Sequence, residues 1–96
     1  MYGTVARMKI QQERFDELRA LMDEIGARSV PGFRGTHFLF PSDGRDEVLM
    51  AVYFDDRESY MKNADDPAMH EDFMRYRALL DADPEWFDGD WVTFEP

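Results

Sequence analysis

The segment EVLMAVYF, Glu47 to Phe54, is apolar on both of its faces. Successive side chains of an extended chain point to opposite sides, so Val48, Met50, Val52 and Phe54 share one face and Leu49, Ala51 and Tyr53 the other. Just before it, PGFRGTHFLF is rich in aromatic and apolar residues, with Phe33, His37 and Leu39 opposing Thr36, Phe38 and Phe40. The turn-rich PSDGRD between them predicts a β-hairpin. A sheet with both faces apolar must be covered on both, whereas a sheet with one wet face alternates apolar and polar residues.

The remaining segments supply a cover for one face only. Tyr2 to Ile10 is short and rich in β-branched and apolar residues, which predicts a strand. QERFDELRALMDEIG places Phe15, Leu18, Leu21, Met22 and Ile25 on one helical stripe, with Gly26 as its C-cap. RSVPGFRG punctuates the chain before the hairpin. The stretch from Asp55 to Asp83 reads as helix in two pieces. Asp55 and Glu58 have capping-box spacing at the first piece, and Asp66 with Pro67 in the first turn opens the second. GDWVTFE predicts a last strand. The order β-α-β-β-α-β is the ferredoxin-like α+β arrangement, a four-stranded antiparallel sheet with helices on one face. The length of 96 residues suits one domain spanning 1–96. The uncovered face then predicts a second copy of the sheet packed against it, a homodimer in the form of a dimeric α+β barrel.

Charge narrows the partners. The net charge is −10, from 11 basic and 21 acidic residues, and most of it lies in the second half of the chain. Such a chain repels phosphate backbones, so neither nucleic acid nor an anionic membrane surface is expected as a partner. No run reaches the ~20 apolar residues a bilayer span needs, and the first residues lack a signal-peptide pattern, so a soluble cytoplasmic protein is expected. The sequence has no cysteine and two histidines, which leaves no disulfide and no zinc site to expect.

Few residues offer chemistry. His70 borders the core stripe of the second helical piece (Met69, Phe73, Tyr76 and Leu80), where an imidazole can reach a pocket as a general base or bond locally at the helix edge. His37 lies mid-strand and faces either that pocket or a subunit seam. Arg34 is placed to bind a carboxylate or enolate oxygen, or to sit on the surface. Tyr53 and Tyr60 can orient an aromatic ligand or fill core and rim. Trp86 and Trp91 are expected to pack the last strand. The carboxylates of DDPAMHED serve the helix N-terminus, so no metal is expected there.

VARMKIQQERFDELRALMDEI, followed by VPGFRGTHFLFPSDGRDEVLMAVYFDDRESYMKNADDPAMHEDFMRY, resembles the antibiotic-biosynthesis-monooxygenase-like group of dimeric α+β barrel proteins. The resemblance implies a ligand pocket between sheet and helices. It also implies an activity of the kind found in the group, which includes cofactor-free oxygenases of polyketide anthrones and haem-degrading oxygenases. The haem-degrading branch uses an asparagine, a tryptophan and a histidine where this chain has Ala6, Asn63 and Phe73. The expectation is therefore a cofactor-independent oxygenase that takes a small aromatic or polyketide-like compound and needs no cofactor. His70 would be its base, with His37, Tyr53, Tyr60 and Arg34 around the ligand. The alternative is a non-catalytic dimeric domain that binds a small molecule or only assembles.

Overall fold

A computed structural model of the chain describes residues 1–26 and 29–96. Arg28, the first residue of the RSVPGFRG punctuation, lies outside the described residues. The elements run β1 (Tyr2–Lys9), α1 (Phe15–Ile25), β2 (Phe33–Leu39), β3 (Glu47–Phe54), α2 (Arg57–Ala64), α3 (Pro67–Arg77) and β4 (Glu85–Asp90), with a short 3₁₀ turn at Gln12–Arg14 leading into α1. The four strands form one antiparallel sheet in the order β2-β3-β1-β4. This is the expected ferredoxin-like α+β arrangement.

The core lies between this sheet and its helices. Ala6 and Met8 of β1, Val48 of β3, Leu18 of α1 and Ile10 are fully buried, with Tyr76 and Leu80 from the α3 side. Phe15, Leu21, Met22 and Ile25 of the α1 stripe pack against them. Each such aliphatic side chain contributes roughly 1.5–3 kcal/mol by leaving water.

Helix ends follow local chemistry. The Gly26 N–H closes α1 on the Met22 carbonyl at 2.8 Å. Asp66 opens α3 by accepting from the Ala68 N–H at 2.9 Å, and Pro67 occupies the first turn, where its missing donor costs nothing. The capping box of α2 sits one residue later than its spacing in the sequence implied. Asp56 accepts from the Ser59 N–H at 2.8 Å, and the Ser59 hydroxyl faces the Asp56 N–H. Asp55 is instead taken up by Arg34 and by a backbone bond from its own N–H to the Gly32 carbonyl. Gly32 has φ +78°, and a Cβ there would lie 2.5 Å from that of Ser59, so the hairpin entry and α2 approach each other only through glycine.

Two features depart from the sequence pattern. The last strand is Glu85–Asp90, not GDWVTFE: β4 pairs with β1 in the register Ala6↔Trp86 and Tyr2↔Asp90. As an edge strand with one neighbour, β4 tolerates Asp88, Gly89 and Asp90. Trp91 adds one more ladder bond, from its N–H to the Met1 carbonyl at 2.9 Å, and residues 92–96 run on without strand structure. The second departure is at Phe33. A bulge between Phe33 and Gly35 places Phe33 opposite Phe54, with the rings 5.4 Å apart, so it joins the helix side and not the face of His37 and Leu39.

Candidate functional site

Between sheet and helices lies a cleft with two lobes, of about 560 Å³ and about 320 Å³. Met50, Val52, Phe54, Asn63, Met69 and Tyr76 line both, so the lobes are continuous at a waist built from β3, α2 and α3. The larger lobe is closed by α1 residues and by Phe33, Phe38 and Phe40 of the hairpin, with the Arg19 guanidinium 4.4 Å above the Phe40 ring. The smaller lobe is walled by Tyr60, Phe73 and Trp86, with Phe73 and Trp86 rings 6.2 Å apart. Apolar walls with a few placed polar groups are the usual make-up of a small-molecule site.

The polar groups are few and specific. Tyr76 is buried, faces both lobes, and its hydroxyl has no hydrogen-bond partner among the described residues. Burial, reinforced by the nearby Tyr60 and Asp72, pushes its pKa well above the ordinary tyrosine value. A buried hydroxyl without a partner costs about 1–3 kcal/mol. Tyr60 lines the smaller lobe and donates its hydroxyl to Asp88 Oδ1 at 2.9 Å. Burial, then Asp88, push its pKa up to about 12, so it keeps its proton at any physiological pH. Asn63 contributes an amide at the waist and Asp72, also buried, a carboxylate to the larger lobe.

The candidate residues read from sequence divide between the two sides of the sheet. His70 and Tyr60 share the smaller lobe, with His70 on its exposed side in the first turn of α3. His37 does not join them. It lies opposite Ala51 on the open face, its ring 5.4 Å from Tyr53. Tyr53 in turn stacks on Trp91 with ring centres 4.5 Å apart, so these three form an aromatic row on the far side of the sheet from the cleft. Arg34 is exposed and paired with Asp55 at the sheet edge, away from both lobes. The residues that the sequence reading passed over are Asn63, Asp72 and the hydroxyl of Tyr76. Their signal was polarity on a stripe otherwise apolar: Asp72 and Tyr76 are four apart on α3, one above the other on the face that meets the sheet. Among the described residues no cluster of three or more metal-ligating side chains occurs, and no helix is long and apolar enough to cross a membrane.

Comparisons with known proteins agree on the fold. The family model described as antibiotic biosynthesis monooxygenase matches residues 1–76. A cofactor-independent oxygenase, SnoaB of Streptomyces nogalater, superposes with a TM-score of 0.76 at 18% identity over 99% of this chain and 96% of its own. The haem degrader MhuD of Mycobacterium tuberculosis, solved with two haems in its active site, gives 0.76 at 16% identity over all of both chains. A protein of Chloroflexus aurantiacus assigned to the antibiotic biosynthesis monooxygenases gives 0.76 at 23% identity, covering 99% of this chain and 96% of its own. At these identities the likeness is one of fold. No curated protein matches the sequence.

Proposed function

Because the chain belongs to the antibiotic biosynthesis monooxygenase family, we propose that it is a cofactor-independent oxygenase of a small aromatic or polyketide-like compound held in the two-lobed cleft. The observation that carries this reading is the Tyr76 hydroxyl, buried in an apolar cleft with no partner among the described residues. Its oxygen has almost no accessible surface as the cleft stands, so a ring carbonyl or enolate oxygen accepts from it only once the ligand has moved the side chains over it. Asn63 is the second donor beside that position.

The chemistry can be written for a substrate with an acidic ring methylene. His70 removes one proton from the methylene carbon, and Tyr76 and Asn63 hold the enolate oxygen that results. The carbanion is the reductant: it adds dioxygen to give a hydroperoxide, with the proton returned from His70. Loss of water from the hydroperoxide leaves a quinone carbonyl, so one oxygen atom stays on carbon and the other departs as water. Electrons come from the substrate carbon alone, which is why no cofactor enters. Haem degradation forms no part of this reading. At the positions its relatives use, Ala6 is fully buried and Phe73 offers iron no nitrogen.

The test is oxygen uptake with anthrone as the probe substrate. The protein should convert anthrone to anthraquinone well above the uncatalysed rate, and His70→Ala and Tyr76→Phe should each lower kcat by about 10²-fold or more. A rate no higher than that of buffer would contradict the oxygenase reading. Tight binding of anthrone without turnover would favour the alternative, a domain that binds a small molecule and does no chemistry. The exposed position of His70 is the observation on that side.

The same proposal assigns the open face of the sheet to a second copy of the chain. Leu39 and Phe87 there are each 59% exposed, with Val5, Leu49 and Ala51 between them in the ladder. An apolar strip on a sheet is self-complementary under a two-fold axis. Native mass spectrometry should give a dimer; a monomer at micromolar concentration would remove this assignment.

A further inference from the structure

Among the described residues, the lining of the larger lobe includes one cationic side chain, Arg19 of α1. The lobe is otherwise largely apolar, with Phe33, Phe38 and Phe40 of the hairpin on one side and α1 on the other. Arg19 is exposed and reaches Phe40, so it stands at the rim where these two sides meet. Elsewhere arginines are spent on carboxylates: Arg7 on Glu47, Arg34 on Asp55, Arg45 on Asp43 and Arg75 on Glu24. Arg19 is not. Its guanidinium lies 4.4 Å from the centre of the Phe40 ring, and among the described residues it has neither a carboxylate partner nor a hydrogen bond.

A guanidinium laid on an aromatic face is held there by the ring while its N–H edge stays available. Its five donors form a planar fork, and the ligand group that matches such a fork is a carboxylate. Two acidic residues of the lining oppose an anion and limit where it can sit. Asp72 is buried on α3 and already engaged within the protein. Asp23 is exposed, one helical turn beyond Arg19 on α1. A carboxylate directed outward to the rim meets Arg19 and keeps its contact with water, so it avoids the desolvation cost of a buried ion.

Resting on the reading of the cleft as a ligand site, we infer that Arg19 is a specificity-determining residue that selects aromatic carboxylates. The ring system fills the larger lobe, and its carboxylate takes the Arg19 fork at the mouth beside Phe40. The part that the sequence offered to Arg34 falls to Arg19, because Arg34 is paired with Asp55 away from both lobes.

Two probes alike in shape and different in charge separate the outcomes: anthraquinone-2-carboxylate and anthraquinone-2-carboxamide. Titration calorimetry at neutral pH and low salt should show the wild-type protein binding the carboxylate about ten-fold more tightly, the equivalent of about 1.4 kcal/mol. Arg19→Gln, a change at an exposed position, should bring the ratio to one or below and leave binding of the amide in place. Asp23→Asn should raise the ratio. Added salt should shrink the wild-type ratio, because the pair sits at the surface. A carboxylate bound no better than the amide by the wild-type protein, or a preference that survives Arg19→Gln, would overturn the assignment while the cleft stands as a ligand site. A ratio lowered by Asp23→Asn would overturn it too. Failure of both probes to bind the wild-type protein would defeat the reading of the cleft itself, and the assignment with it.

Discussion

The two faces of the sheet are built from the same strands and differ in nearly everything else. On the helix side Ala6, Met8 and Val48 are fully buried, and the cleft opens where the packing of α2 and α3 leaves space beside β3. On the open side the apolar residues Leu39 and Phe87 face outward, and cover comes from the chain's own end. Trp91 folds back over Gly3, stacks on Tyr53 and donates its indole N–H to the Val52 carbonyl at 2.9 Å. The difference teaches that burial and chemistry are separated across one layer of backbone. The helix side combines a core with a cleft lined by the one buried hydroxyl that lacks a partner among the described residues, that of Tyr76, whereas the open side pairs Arg7 with Glu47 and leaves Leu39 and Phe87 exposed.

Substitutions should break the symmetry of strand composition and expose this asymmetry of role. The largest effect is expected in the core. Leu18→Ala removes a fully buried side chain and should cost about 2–5 kcal/mol in urea unfolding. Leu39→Ala, at 59% exposure, should change the stability of the isolated chain by no more than about 0.5 kcal/mol and act instead on self-association. A loss for Leu39→Ala comparable to that for Leu18→Ala, in a monomer, would show that the open face is core.

Gly3→Ala should come next. A Cβ at residue 3 would sit 1.8 Å from the Val52 carbonyl oxygen and 2.7 Å from Trp91 Nε1, so the strand or the indole must move. We expect a loss of about 1–3 kcal/mol, typical of forced overpacking, with a red-shifted Trp91 emission as the ring is displaced. An unshifted emission spectrum and unchanged stability would mean that the indole does not lie over this glycine.

The smallest effects concern pH and run in opposite directions on the two faces. On the open face Arg7 holds the Glu47 carboxyl below its ordinary value of 4.5, against the opposing effect of burial and with help from Arg45. A lowered carboxyl pKa supplies stability that is present above the unfolded value and is lost as pH falls through the folded one. Glu47→Gln should therefore flatten the acid limb of the stability curve. On the helix side Tyr60 is raised from 10.0 to about 12. Its neutral form is favoured by folding, so stability is full below about 10 and falls as pH rises toward 12. Tyr60→Phe should flatten the alkaline limb and leave the acid one alone. Thermal melts across pH would detect either slope, and an acid limb unmoved by Glu47→Gln would remove the ion pair from the account.

Much of the architecture was legible from residue order. The alternation of EVLMAVYF marked a strand of the sheet, and the stripe through Leu18 and Ile25 marked the helix that covers one face of it. Asp66 with Pro67 marked the start of α3 to the residue. What escaped had physical reasons. The edge position of β4 lets Asp88, Gly89 and Asp90 sit in a strand, so composition placed its start four residues downstream, at Gly89 and not Glu85. The bulge at Phe33–Gly35 reverses the side that alternation assigns to Phe33. For the site, alternation alone could not say which face of β2 met the helices, so His37 stood as a candidate partner for His70 although the sheet lies between them. The hydroxyl of Tyr76 was hidden because a tyrosine on a core stripe reads as hydrocarbon until its oxygen is seen without a partner.

The division of labour between the faces can be tested in one experiment, because the chain's two tryptophans lie on opposite sides of the sheet. Trp86 walls the smaller lobe, and Trp91 lies on the open face. Their indole N–H groups give two resonances in a ¹⁵N correlation spectrum, assignable with Trp86→Phe and Trp91→Phe. Titration with 2-hydroxyanthraquinone should shift the Trp86 resonance and leave Trp91 in place, while dilution of the free protein should move Trp91 alone. A ligand shift confined to Trp91 would contradict the account, placing the binding site on the face assigned here to a second subunit.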